Sequence, residues 1–424
     1  MTPPRCGWCR PFVVAALCVV GVLPGQAQTL AEAPPIDSVC PPGNLVDPAF
    51  RDAALLTMRQ LVVRAPGQPS HGAVRRSLGA AHVDRRGRSW HHVAAYEGNL
   101  GLIGALRVDP TLRTEAADWL RWQAAHLPLA GPDKGQLFDR WVLADGAQES
   151  VCPADLPAAK CRQIDAVDST LASFFLMAQA YLRHGGDAAL LREPALRNAF
   201  DVAAQSLAAL QRNEGLSWAK PDHAVAYLMD AVEVAAGWRA LAELQERVWA
   251  DPAGAAVSRH AAQRTQDAVE RTLWDDPAGL WRVSLQAPPT RLSRWYPDTM
   301  AQAWPLLWTP PGRSAPFAQR TRAAWQRAAA AWRSPDRAWA ARTVDPAGFW
   351  WPAAAVAAHC VGEDAAAGEW LARARNAWLA APAPFAWPFQ VSDLLWLFWL
   401  AEPGPPPAPW PTPLSPAPAQ APAP

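Results

Sequence analysis

Apolar residues recur along this chain mostly every three or four positions, and the recurrence marks out twelve helix-like segments. They span residues 46–64, 93–107, 110–127, 167–184, 195–211, 224–250, 253–275, 295–307, 314–332, 346–362, 364–380 and 391–401. Alanine-rich stretches with few β-branched runs favour helix over strand. Linkers into the even-numbered segments are long, and those leading out are mostly short. Six helical hairpins with that rhythm, closed into a ring, bring every long linker to one rim at the start of the inner helices. Loops on a rigid scaffold are where binding and catalysis concentrate. The expected fold is therefore all-α, an (α/α)6 toroid with one working face. Residues 136–143 and 279–286 read as short rim strands, and nothing else reads as sheet.

Half of the chain is hydrophobic, enough to bury a large core. The first 27 residues read as an export signal: Arg5 and Arg10, an apolar stretch over 11–23, and a small-residue site at Gly25-Gln26-Ala27. Cleavage after Ala33 is the alternative. About 390 residues then remain, suited to one large closed architecture. An N-terminal arm over 28–45 leads into the toroid over 46–401, and the Pro/Ala-rich stretch 402–424 reads as an extended, disordered tail. No later run has the length and polarity of a membrane span, so the mature chain is expected to be periplasmic or secreted. Losing Arg5 and Arg10 takes the formal charge from +1 to −1, and no basic stripe interleaved with aromatics argues for nucleic acid. Cys6, Cys9 and Cys18 leave with the signal. Cys40, Cys152, Cys161 and Cys360 allow three pairings. Cys152 and Cys161 flank a short Pro-containing loop and are expected to pair, which leaves Cys40 to tie the arm to Cys360. No mature-chain spacing suggests zinc, and no cofactor is implied.

Chemically unusual residues collect at the starts of even segments. The second opens Ala95-Tyr96-Glu97-Gly98-Asn99, with Glu97, Gly101 and Gly104 on one helical face. Those glycines leave room for a substrate or for a neighbouring backbone. The fourth opens Asp165-Ala166-Val167-Asp168; one acid serves as N-cap, and the face Asp168, Ala172, Phe175 carries the other inward. Before the sixth lie Trp218, Asp222 and Lys220, one of only three lysines in the chain. Tyr227, Asp230, Glu233 and Gly237 follow on one side. Burying two acids is expensive unless they are paired, and Arg239 or a rim arginine is a structural partner of equal standing. The eighth opens Trp295-Tyr296-Pro297-Asp298, the tenth includes Trp350, and the twelfth opens Phe389-Gln390-Val391-Ser392-Asp393. Three of the four tyrosines, Tyr96, Tyr227 and Tyr296, fall near the starts of these segments. Rings with hydrogen-bonding edges beside carboxylates and amides suit a carbohydrate, whose C–H faces stack while its hydroxyls bond. Asn99, Asp165, Trp218, Asp230 and Trp350 therefore join the candidate sugar contacts. Most other tryptophans read as packing between helices.

Paired acids on opposite inner helices suit glycosidic cleavage, which needs one carboxyl to protonate the leaving oxygen and another to activate water or attack the sugar. From about 46 to 400 the chain resembles the six-hairpin glycosidase superfamily. Tyr96-Glu97-Gly98 resembles the Ser-Glu-Gly motif carrying the acid in glycoside hydrolase family eight, the endoglucanase and chitosanase group, with tyrosine replacing serine. Asp165-Ala166-Val167-Asp168 is loosely similar to that family's later Asp-rich motif, its acids three apart. The resemblance implies Glu97 as general acid and Asp168 or Asp298 as base. Tyr96, Lys220, Asp222, Tyr227, Trp295 and Tyr296 would then contact sugar. The expected function is an exported, inverting glycoside hydrolase acting on a poly- or oligosaccharide. Rival readings are a polysaccharide lyase on the same toroid and a non-catalytic periplasmic glycan-binding or scaffold protein. A terpene-cyclase-like toroid is disfavoured by the export signal and the lack of an Asp-x-Asp-Asp run.

Overall fold

A computed structural model describes residues 36–333, 349–379 and 383–404; the segment read as an export signal and most of the stretch read as a tail lie outside the described residues. Twelve α-helices fall within the described residues. The outer set is α1 (Pro48–Leu61), α3 (Arg113–His126), α5 (Pro194–Leu210), α7 (Pro252–Ala268), α9 (Ala315–Arg333) and α11 (Asp364–Leu379). The inner set is α2 (Ala95–Val108), α4 (Val167–Arg183), α6 (Leu228–Arg247), α8 (Trp304–Trp308), α10 (Ala353–Cys360) and α12 (Asp393–Trp399). Contacts run α2 to α4, α6, α8, α10, α12 and back to α2, so the inner ring is closed. In that order α6 lies diametrically across from α12. Every segment expected to be helical contains a helix, with shifts at several ends. The eighth is broken: a π-helical turn at Trp295–Thr299 precedes the short α8.

Burial explains the two layers. α4 is buried on every face from Val167 to Leu182, as an apolar helix inside a ring must be. α7 buries only Ala255, Ser258, Ala261, Ala262, Thr265 and Ala268, one stripe at helical spacing. Outer helices α1 and α7 start with Asp47 and Asp251 accepting from Phe50 N (3.0 Å) and Gly254 N (2.8 Å), each with proline at the first helical position. Inner helices are seated by close backbone approach. A Cβ on Gly104 would lie 2.6 Å from Leu394 O and Leu395 Cα of α12, and one on Gly237 2.6 Å from Ala172 Cα of α4. The inner-face glycines are filled by neighbouring backbone, which decides between the two readings of Gly101 and Gly104.

The sheet content exceeds the expectation. β3 (Arg140–Leu143) and β6 (Leu280–Trp281) fall where strands were expected. β1 (His82–Val83), β2 (Ser89–Val93), β4 (Glu149–Ser150) and β5 (Trp274–Asp275) were not foreseen. β1 to β4 form an antiparallel meander on the rim, with His92 opposite Trp141, and β5 pairs with β6. β2 escaped because it is short and buries Trp90, His91 and Val93, so no clean alternation marks it. Only Ala94 separates it from α2.

Both expected disulfides form, Cys152–Cys161 and Cys40–Cys360. The arm from Ile36 lies against the C-terminal ends of the inner helices: Val39 N donates to Thr309 O (2.7 Å), Gly43 N to Trp399 O (3.0 Å) and Leu45 N to Leu400 O (2.7 Å). Asp37 pairs with Arg183 at the end of α4 (3.1 Å). The arm thus covers the ring end opposite the rim. No helix among the described residues is long and apolar enough to cross a membrane.

Candidate active site

A cavity of about 930 Å³ opens at the N-terminal ends of the inner helices, and all six inner sectors contribute to its lining. Its carboxyls come from α2 (Glu97), the loop before α4 (Asp165), α6 (Asp230, Glu233), α12 (Asp393) and the loop before β3 (Asp139). The inner helices carrying them leave their first N–H groups to partners other than a side-chain cap. At α4 the N-cap is Ala166, with no side-chain cap bond, and Val167 N donates to Ala219 O (2.7 Å). Neither aspartate of Asp165-Ala166-Val167-Asp168 caps the helix as expected.

On the α2 and α12 side, Arg76 Nε lies 2.8 Å from Glu97 Oε2 and donates to Gln390 Oε1 (3.0 Å). Asp393 Oδ2 accepts from Gln390 N (3.0 Å). His92 Nε2 and Asp139 Oδ2 are 3.1 Å apart. Burial pushes Glu97 up to about 7, with Asp139 and Asp165 adding to the rise and Arg76 and His92 opposing it. Burial likewise raises Asp393 to about 7, Glu97 adding its repulsion against the Gln390 N–H and Arg76. A first-turn carboxylate gains roughly 0.3–1 kcal/mol from the helix dipole. Raising Glu97 from 4.5 to about 7 corresponds to about 3 kcal/mol the other way, so burial wins.

Across the ring, Glu233 Oε1 accepts from Tyr96 OH (2.7 Å) and Trp304 Nε1 (2.7 Å). Burial raises Glu233 to about 8 despite those two donors. Arg239, weighed as its partner, instead donates to Trp308 O (3.2 Å). Asp230 Oδ2 is buried without a hydrogen-bond partner. Burial holds Asp230 well above the usual carboxylate range, with Asp168, Glu233 and Asp165 repelling its charge further. A carboxyl whose proton affinity is raised in this way is suited to proton donation. Lys220 Nζ donates to Ile164 O (3.2 Å), and Tyr296 stacks on Trp351 at 5.0 Å.

Of the residues singled out from sequence, Tyr96, Glu97, Asp165, Lys220, Tyr227, Asp230 and Tyr296 line this cavity. The others lie elsewhere. Asp168 is fully buried, accepting from Ser217 Oγ (2.6 Å) and Ser169 N (2.8 Å). Asp298 is buried and accepts from Arg291 N (2.7 Å). Asn99 binds Trp119 Nε1, Gln123 Nε2 and Ser173 Oγ, a wholly interior network. Trp295 and Trp350 pack against Trp370 at 5.6 and 5.9 Å, Trp218 lies beneath Arg212, and Asp222 is exposed away from the cavity. Arg76, His92, Asp139, Glu233, Trp304, Trp351 and Asp393 were not picked as site residues yet line the cavity. Asp393 carried a signal as an acid at an inner-segment start, and Glu233 as the second of two acids three apart on the sixth segment. Arg76, in a long linker without periodicity, carried none. Among the described residues no group of three or more His, Cys, Asp or Glu is placed to hold a metal ion.

No family model matches the chain, and no curated relative does. Among solved structures it is similar to a wild-type glycosidase, at TM-score 0.50 and 17% identity over 82% of this chain and 94% of that one. It is also similar to a GH63 mannosylglycerate hydrolase from Thermus thermophilus in complex with glucose, at TM-score 0.47 and 13% identity over 82% of this chain and 99% of that one. At 17% identity the first likeness speaks for the fold alone, and the closed inner ring described above is that of an (α/α)6 toroid.

Proposed function

We propose that this chain is an exported glycoside hydrolase acting on a poly- or oligosaccharide with inversion at the anomeric carbon. The observation that carries the reading is the placement of carboxyls in unlike environments on opposite walls of one cavity. Burial, with three neighbouring acids adding to it, pushes Asp230 on α6 well above the usual carboxylate range. Burial raises Asp393 on α12, across the ring, to about 7, while the Gln390 N–H and Arg76 favour its charged form and keep it from rising further. Groups whose surroundings push their proton affinities apart divide into acid and base.

In this reading Asp230 protonates the leaving oxygen, and its unpartnered Oδ2 takes its hydrogen-bond partner from the substrate. Asp393 removes a proton from the water that attacks the opposite face of the sugar. Glu97, expected from sequence to be the acid, is bound to Arg76 and acts beside Asp393; a nearby negative charge makes Asp393 the stronger base. Acids on opposite walls suit inversion, which needs carboxyls about 6.5–9.5 Å apart with a water between them, where retention needs about 5–5.5 Å. Tyr296, Trp351 and Tyr227 offer rings and edges for the sugar. Two disulfides suit an oxidising compartment, which supports export.

Saccharides of differing linkage, followed by reducing ends and by proton NMR of the first-formed anomer, test this. Asp230→Asn and Asp393→Asn should each cost about 10²–10⁴ in kcat, the usual worth of general acid or base catalysis, with saccharide binding retained. Full turnover by either variant would remove that residue from the mechanism. Ultraviolet-absorbing unsaturated products would replace hydrolysis by elimination.

A further inference from the structure

Among the described residues, the rim of the cavity is a wall without a gap. We propose that the site takes the end of a glycan or a small glycoside, and excludes internal stretches of polymer; this rests on the hydrolase reading above. Start at α12. Val391 N donates to Arg76 O (2.9 Å), and Arg76 N donates to His92 O (2.8 Å). β2 then pairs with β3 through His92 and Trp141. Asp139 N donates to Gln163 O (2.7 Å), which brings the wall to the loop before α4. Val167 N donates to Ala219 O (2.7 Å), and Ala219 N to Val225 O (2.9 Å). Leu228 N at the start of α6 donates to Val283 O (2.9 Å), beyond β6. Trp281 of β6 is fixed to the α8 sector by its N–H to Gln302 Oε1 (2.8 Å).

Backbone bonding therefore carries the wall past α12, α2, α4 and α6. The sector before α8 and α10 is closed by rings. Tyr296 stacks on Trp351 (5.0 Å), Trp351 meets Phe349 edge-on (6.3 Å), and Phe349 meets Trp387 (5.1 Å). The Arg76 guanidinium lies over Trp387 at 5.8 Å, returning the wall to its start. The far end of the ring is covered by the arm that Cys40–Cys360 fastens. An internal polymer segment must enter on one side and leave on the other, and among the described residues this cavity shows one way in. Its volume of about 930 Å³ also falls within the roughly 300–1,000 Å³ of small-molecule pockets.

The test offers the full chain linear oligosaccharides of rising length and a cyclic oligosaccharide of the same linkage, with products separated at the earliest measurable conversion. The expected result is one short product from the linear series and loss of all cleavage on the cyclic one. Opening of the cyclic substrate, or a spread of mid-length fragments at early times, overturns the proposal. Calorimetry with Asp230→Asn gives a readout independent of turnover: linear saccharides should bind and the cyclic analogue should not. Equal binding of both overturns the chain-end claim. Absence of turnover by the unaltered chain across the panel, with linear saccharides bound and the cyclic one refused, instead sinks the hydrolase reading and leaves the chain-end geometry supported.

Discussion

Glu233→Gln isolates what it costs this fold to keep an acid inside its ring. Glu233 is 3% exposed and accepts from Tyr96 and Trp304 through the same oxygen. A glutamine oxygen accepts both bonds equally, so packing and hydrogen bonding are preserved while the titration is removed. Burial raises the group from 4.5 to about 8. Between those values the unfolded chain has released the proton and the folded chain retains it. Stability therefore falls as pH rises through the window, by about 1.4 kcal/mol per pH unit at most. Over the whole window the loss approaches about 5 kcal/mol, an upper figure because the ring relaxes and water enters around a buried charge. Below pH 4.5 the acid is neutral in both states and contributes no slope. The assay is urea unfolding of wild type and Glu233→Gln at pH 5, 6, 7 and 8. Glu97 and Asp393 impose a slope of the same sign on both proteins, so the difference between the two curves reports Glu233. The variant should gain on wild type steadily from pH 5 to 8, by a few kcal/mol in total. Parallel curves would mean that Glu233 is ionised in the folded chain at neutral pH. The picture of a desolvated inner wall would then be wrong.

Arg76→Met removes the cation that favours the charged forms of Glu97 and Asp393, so the acidic limb of the kcat/KM profile, expected near pH 7, should move to higher pH; an unmoved limb would separate Arg76 from the base. Gly104→Ala puts a methyl 2.6 Å from the Leu394 carbonyl oxygen and Leu395 Cα, backbone that cannot yield cheaply. It should cost about 1–3 kcal/mol or more of unfolding free energy, whereas Gly67→Ala, with nothing within 4 Å but a left-handed backbone, should act only through local strain. Replacing Cys152 and Cys161 together by serine frees a short loop, which chain-entropy reasoning values at roughly 2–3 kcal/mol. That loss should appear as a lower denaturation midpoint, and an unchanged midpoint would show that the rim sheet holds without its staple.

The hairpin count and the common rim were legible because the period of apolar positions survives in long helices, and because even segments are preceded by long linkers. The strands were not. Stretches of two to five residues hold too few alternations to distinguish a strand from a loop, and β2 buries two neighbouring side chains, Trp90 and His91. The cost of that blindness was functional, since β2 and the loop before β3 bring His92 and Asp139 to the cavity and order the segment holding Arg76. Asp393 carried the same mark as Glu97 and Asp230, an acid in the first turn of an inner segment. Its partner Arg76 is more than 300 residues away and has no local signature.

Helical-face arithmetic failed at Asp168 for a reason that applies to any toroid. An amphipathic outer helix has one apolar stripe and one direction called inward. An inner helix is enclosed on all sides, so inward means the cavity over one arc and a neighbouring helix over the rest. Asp168 shares a face with Ala172, and Ala172 is the residue against which Gly237 of α6 closes. That face looks along the ring, and Asp168 ends between Ser217 and its own helix start. Glu97 and Asp230 are the third residues of α2 and α6, while Asp168 is the second residue of α4. One position rotates a helical side chain by about 100°, enough to turn an acid from open cavity to closed interface. Among α2, α4 and α6, the position of the leading acid counted from the true helix start therefore separates the carboxyls that reach the cavity from the one that does not. That start is fixed here by bonds such as Val167 N to Ala219 O, which come from a loop about fifty residues away.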